Sequence, residues 1–167
     1  MVENLATKGI PKGQKFSWRL IHGTIPCNCI LANRHIITSS LCPMCKVHCE
    51  DIRHGFFTCS RVQEIWDNLG IKPIIEEACN AYHDRSEVFD ALMRQKEKTA
   101  PDFEMGLKEL IATTCWYIWW ERRQVTHDEN ITKPARSAQS IAAVTLNYYK
   151  SAKAQVGVRR HGWEKPL

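Results

Sequence analysis

One stretch of this chain limits its fold more than any other: Cys42-Pro43-Met44-Cys45-Lys46-Val47-His48-Cys49-Glu50-Asp51-Ile52-Arg53-His54-Gly55-Phe56-Phe57-Thr58-Cys59. Cys42 and Cys45 form a C-x-x-C pair, and His54 and Cys59 an H-x4-C pair eight residues further on. Two tight pairs of thiolate and imidazole donors joined by a short loop are what a closed tetrahedral zinc site requires. A C-x-x-C turn sets two sulfurs on one edge of the tetrahedron, and the second pair closes it. With all four positions filled, none is left for a reactive water, so the pattern points to a structural metal.

Other ligand sets can be drawn through the same stretch. Cys42, Cys45 and Cys49 approach iron–sulfur spacing, but a four-cysteine cluster must then recruit Cys59 and pass over His54. His48 and Cys49 follow the first pair too closely to close the loop comfortably. The cysteines could also be buried free thiols.

The chain has 167 residues, with 44% hydrophobic and 25% charged side chains, as in an ordinary soluble globular protein. No apolar run approaches the ~20 residues that a membrane span needs. The start, Met1-Val2-Glu3-Asn4-Leu5, has no basic flank leading into an apolar segment, so it does not read as a secretory signal. For a chain with eight cysteines and no such signal, metal binding is favoured over a disulfide scaffold, and the expected compartment is intracellular and reducing. Net charge is +5, and residues 1–45 carry +4 of it through Lys8, Lys12, Lys15, Arg19 and Arg34 against Glu3. A basic bias beside a zinc site is compatible with phosphate contact.

Hydrophobic spacing predicts a mainly α fold: a small zinc-stapled helical module followed by an antiparallel helical hairpin. A basic leader, residues 1–13, precedes the module, residues 14–70. Within it a helix is expected over Gln14 to His22, ended by Gly23, and another over Asn28 to His35 that buries Ile30 and Leu31. Ser60-x-x-Gln63 reads as a capping box opening a helix with Val62, Ile65, Trp66 and Leu69 on one face. Phe56 and Phe57 are expected to pack on Trp18 or Trp66 and roof the site, although exposed aromatics beside such a site can stack on bases. Residues 71–101 read as an irregular linker with one short helix, capped by Asp84-x-x-Glu87 and burying Val88, Phe89 and Leu92. The hairpin covers residues 102–157. Its first helix carries Leu107, Leu110, Ile111, Thr114, Cys115, Ile118 and Val125 on one stripe, widened by Trp116, Trp119 and Trp120. Its second faces a partner with Ala138, Ile141, Thr145, Tyr149 and Ala152. Glu121, Arg122 and Arg123 read as a solvated or ion-paired face. Chelation is expected to unfold residues 40–70 and leave the hairpin helical.

A family resemblance can be named on these residues. Phe16-x-Trp18, Ile25-Pro26, Leu31-x-x-Arg34, Cys42-Pro43-x-Cys45, Glu50, His54, Cys59 and Ile65-Trp66 together resemble the zinc-binding region of plant non-LTR (LINE-type) retrotransposon reverse transcriptases. The resemblance implies Zn2+ held by Cys42, Cys45, His54 and Cys59. Ile118-Trp119-x-x-Arg122 is similar to the helix that follows this module in such proteins. The tail, residues 158–167, resembles the lead-in to their ribonuclease H-like domain. Cys27, Cys29 and Cys49 depart from the family pattern and read as incidental thiols.

No Tyr-x-Asp-Asp-type segment, Ser/His/Asp grouping or Gly-rich phosphate loop is present in the sequence, so no enzyme activity and no small-molecule substrate are expected. Two functions fit. In one, the module contacts RNA or DNA through Lys46, Arg53, Arg61, Lys15 and Arg19, within a fuller polyprotein bearing reverse transcriptase or ribonuclease H domains. In the other, zinc only staples a structural or protein-interaction module.

Overall fold

The computed structural model describes residues 11–161, and the architecture is mainly helical. The expected leader up to residue 10 and the tail from residue 162 lie outside the described residues. The helices are α1 (Pro11–Ile21), α2 (Asn28–Asn33), α3 (Ser60–Asn68), α4 (Lys72–Ala81), α5 (Glu87–Arg94), α6 (Leu107–Thr126) and α7 (Pro134–His161), with a π-helical turn at His54–Thr58. Among the described residues the extended backbone amounts to two isolated antiparallel bridges, Leu41 with Cys49 and Thr99 with Gly106.

The first half follows its local chemistry. α1 buries Phe16 and Leu20 and stops at Gly23, whose φ of +64° is the left-handed value that glycine adopts without a side-chain clash. α2 is shorter than its pattern suggested, ending at Asn33. Ile30 and Leu31 are half-buried rather than buried. α3 buries Val62, Ile65 and Trp66 and is terminated by Gly70 at φ +72°.

Two local expectations need correction. Ser60 is not a cap: it is the first residue of α3, and Cys59 holds the N-cap position with no side-chain cap bond, so the Ser60-x-x-Gln63 box does not form. The Gln63 amide instead donates to the Cys59 carbonyl at 2.8 Å. The stretch from Ile71 is not irregular either. It forms α4, with Pro73 in the first turn, where a missing N–H costs no helical bond, and with Ile75, Ala78 and Cys79 buried. The expected linker thus holds two helices, α4 and α5, the latter burying Val88, Phe89, Leu92 and Met93.

α6 is enclosed on most sides, burying Leu107, Leu110, Ile111, Thr114, Cys115 and Ile118, while α7 buries Ala138, Ile141 and Thr145. α7 packs on both α3 and α6, and α6 also meets α1 and the π turn. One continuous core runs from Phe16 through Phe56, Phe57, Trp66 and Phe89 to Ile141. Phe57 stacks on Trp66 with ring centroids 6.2 Å apart, and Phe56 lies between Phe16 at 5.9 Å and Trp119 at 6.1 Å. The module and the hairpin therefore share apolar contacts, against the expectation that chelation would leave the hairpin untouched. Trp18 is not among these partners: it lies on the outside of α1, 47% exposed.

Two buried ion pairs tie the same parts together. The Arg122 guanidinium donates through Nε to Glu50 Oε1, through Nη2 to Glu50 Oε2 at 2.7 Å, and through Nη2 to Asn28 Oδ1 at 2.9 Å. Its charge lies 4.6 Å above the Trp119 ring. The second Glu50 oxygen also accepts the Asn28 amide at 2.6 Å, at the start of α2. Across the bundle, Arg61 on α3 pairs with Glu121 on α6 at 3.1 Å. Of the charge run Glu121-Arg122-Arg123, the first two are buried in ion pairs and Arg123 is exposed.

Candidate metal centre

Each half of the four-residue set is positioned by backbone. In the first half, the Leu41–Cys49 bridge brings two short arms together, and the Cys42 amide donates to the His48 carbonyl at 2.8 Å. The chain turns tightly between them: the Lys46 amide donates to the Cys42 carbonyl at 2.8 Å, and Lys46 has a φ of +58°. This turn aims both sulfurs inward. In the second half, Asp51 caps the entry, its Oδ1 accepting the His54 amide at 2.7 Å. The Cys59 amide then donates to the His54 carbonyl at 2.9 Å. That i to i+5 bond defines a π turn, and it is what an H-x4-C spacing needs to bring its two ends together. Phe56 and Phe57, within the turn, anchor it in the core at 1% exposure each.

The result is one cluster. The Cys42, Cys45 and Cys59 sulfurs and a His54 ring nitrogen all lie within 4.8 Å of one another. A tetrahedron with metal–sulfur distances of about 2.3 Å has edges of roughly 3.7 Å, so the four atoms are already near coordinating range. Cys42, His54 and Cys59 are buried and Cys45 half-buried. The donor set, three thiols and one imidazole, matches structural zinc.

The four groups shift one another's protonation in opposite directions. The Cys59 thiol is held below its ordinary value by a hydrogen bond with Cys42, against burial, with help from the Arg61 and Val62 amides at the start of α3. Burial would raise Cys45, but the amides of His48 and Val47 and the His54 ring hold it below its usual value. Cys42 is pushed up to about 12, first by its hydrogen bond with Cys59 and then by burial. His54 is raised to about 9, chiefly by its hydrogen bond with Cys42, assisted by Cys45, whose sulfur lies 3.3 Å from Nε2.

The competing donors lie outside this cluster. Cys49 and His48 are exposed, and the Cys49 thiol meets Cys29 instead. Cys27 is buried, with its thiol raised by burial and by Glu50.

The five basic residues proposed from sequence separate. Lys46 is exposed on the metal turn, and Lys15 and Arg19 are exposed on α1. Arg53 is half-buried and donates to the Tyr82 carbonyl at 2.6 Å. Arg61 is turned inward, donating to Glu121 at 3.1 Å, to the Thr132 carbonyl at 2.7 Å and to Ser137 at 3.3 Å. It joins α3 to the hairpin rather than facing solvent, and no local sequence signal marks a bond spanning 60 residues. The Trp18–His22 pair, also missed from sequence, had one usable sign: Trp18 lies on the face of α1 opposite Phe16 and Leu20, and His22, just past the helix, continues that spacing.

A family model described as zinc-binding in reverse transcriptase matches residues 4–66, which contain all four clustered residues. That family is defined by metal binding and not by catalysis. No curated protein and no solved structure matches the chain. Among the described residues no helix is long and apolar enough to cross a membrane.

Proposed function

We propose that this chain is a non-catalytic zinc module that works on nucleic acid within a retroelement reverse transcriptase polyprotein, of the plant LINE type that its motifs resemble. The observation that carries the reading is the match of residues 4–66 to the reverse-transcriptase zinc-binding family, centred on a closed four-donor cluster. Zn2+ held by Cys42, Cys45, His54 and Cys59 fixes the Cys42–Lys46 turn and the start of α3. Its filled coordination sphere supplies folding energy and no reactive position. The exposed cations Lys46, Lys15 and Arg19 are available to phosphates. The hairpin is the connector toward a ribonuclease H-like neighbour, and the compartment is intracellular and reducing.

A salt titration of RNA and DNA binding by the zinc-loaded chain tests this. Binding should weaken steeply as salt rises, and the Lys46→Gln variant should lose about 0.7 to 0.9 of a unit of slope. Absence of binding at low salt by a folded, zinc-loaded sample would overturn it.

A second reading has its own observation. Arg61 is used inside the fold, and the module shares a core with the hairpin, as expected if zinc only staples a structural or protein-docking unit. The same titration decides between the two.

A further inference from the structure

α1, Pro11–Ile21, contains no carboxylate, and its two faces are sharply different. Phe16 and Leu20 are buried against the core. On the opposite side, Lys15, Trp18, Arg19 and His22 follow the i, i+3, i+4, i+7 spacing that places side chains on one helical stripe, and all four are exposed. A tryptophan left 47% in water is an unusual use of the largest apolar side chain. It is also held in place. The His22 ring stacks on the indole with centroids 4.2 Å apart and planes 23° from parallel. His22 Nδ1 donates to the Trp18 carbonyl at 2.8 Å, and since a carbonyl only accepts, this bond fixes both tautomer and ring orientation. Arg19 uses one guanidinium donor on the Thr24 carbonyl at 3.4 Å, and its others meet no partner among the described residues.

A pre-stacked aromatic pair on the same stripe as two cations, with no acidic group on the helix, combines the two elements of single-strand recognition: a π surface for a base and positive charge for the adjoining phosphates. We infer that the outer face of α1 is a single-stranded nucleic-acid site, with Trp18 as the base-stacking platform, His22 as its backing and Lys15 and Arg19 as phosphate contacts. This deepens the function proposed above and rests on it. It moves the base contact from the π turn, whose phenylalanines are buried, to a surface more than 30 residues earlier in the chain. Bases in a duplex are already stacked on one another, so the site selects single strands.

The test compares zinc-loaded wild type, Trp18→Ala, Trp18→Phe and Lys15→Gln/Arg19→Gln. The probes are a labelled oligouridylate and a labelled RNA duplex, measured by fluorescence anisotropy across a salt series. Zinc content and circular dichroism confirm folding. Stacking does not release counterions, so W18A should lower oligouridylate affinity roughly 5- to 150-fold with an unchanged salt slope. W18F should recover most of the loss, because a phenyl ring also stacks. The double Lys15/Arg19 variant should instead flatten the slope by about 1.4 units. If wild type binds oligouridylate but folded W18A binds equally well, or if the duplex binds as tightly as the single strand, the α1 site is wrong and the wider reading stands. If wild type binds neither probe at low salt, both fall together.

Discussion

Replacing Arg122 with methionine should destabilise the whole fold, because Glu50 depends on it. Glu50 is 1% exposed, and Arg122 supplies two of the three hydrogen bonds that its carboxylate accepts, the Asn28 amide supplying the third. Methionine keeps much of the side chain's packing against Trp119 but leaves a buried anion with a single neutral donor. Removing one partner of a buried pair costs about 3–5 kcal/mol. For a chain of this size each kcal/mol lowers Tm by about 2–4 °C, so R122M should melt roughly 6–20 °C below wild type. E50Q/R122M removes the stranded charge while keeping an acceptor for Asn28, and it should recover a large part of that loss. Urea and thermal unfolding of the zinc-saturated wild type, both single variants and the double variant give the coupling energy. A loss below about 1 kcal/mol in R122M, or single effects that add to within about 0.5 kcal/mol, would show that the clamp is incidental.

Three further outcomes are expected. The chain should purify with one zinc, and alanine at Cys42, Cys45, His54 or Cys59 should each abolish it in elemental analysis; full retention in His54→Ala would hand the fourth position to Cys49. Chelation should reduce the α-helical circular dichroism of the entire chain in one transition, since zinc contributes on the order of 10 kcal/mol to such sites and the core is shared; a hairpin that keeps its full signal would refute the shared core. Metal affinity should fall with pH, because binding must expel the protons that raised values leave on Cys42, about 12, and His54, about 9. For folding, the raised His54 value contributes stability that is complete below its usual 6.5 and is lost as pH rises through about 9, while the lowered Cys45 and Cys59 thiols contribute in the opposite sense, losing theirs as pH falls. Calorimetry in buffers of different ionisation heat should detect proton release on zinc binding, and its absence at neutral pH would contradict this account.

What could be read from sequence was local. The ligand spacing found the cluster because C-x-x-C and H-x4-C are short-range geometry, and the apolar stripes of α5, α6 and α7 found their buried faces. Helix α4 was missed because Pro73 was not read as a helix start and Ile74 blurs the period set by Ile71, Ile75 and Ala78. The roles of Arg61 and Arg122 were hidden for a different reason: their partners lie 60 and 72 residues away, and periodicity carries no information at that range. Trp18 was assigned to the core by its size, but Phe16, Phe56 and Trp119 already occupy that space.

The π turn makes the distance between His54 and Cys59 a fixed ruler. Its closing bond spans five residues, and deleting one would return the segment to a four-residue repeat. Each residue of helix advances the chain by about 100°, so a single deletion would swing either the cysteine or the buried Phe56–Phe57 pair out of place. The segment can therefore change its letters but not its length. Related chains should vary in length in the exposed stretches at 83–85 and 128–130, which hold none of the four clustered residues. Between His54 and Cys59, a frame-preserving loss of one codon should be as damaging as loss of a ligand.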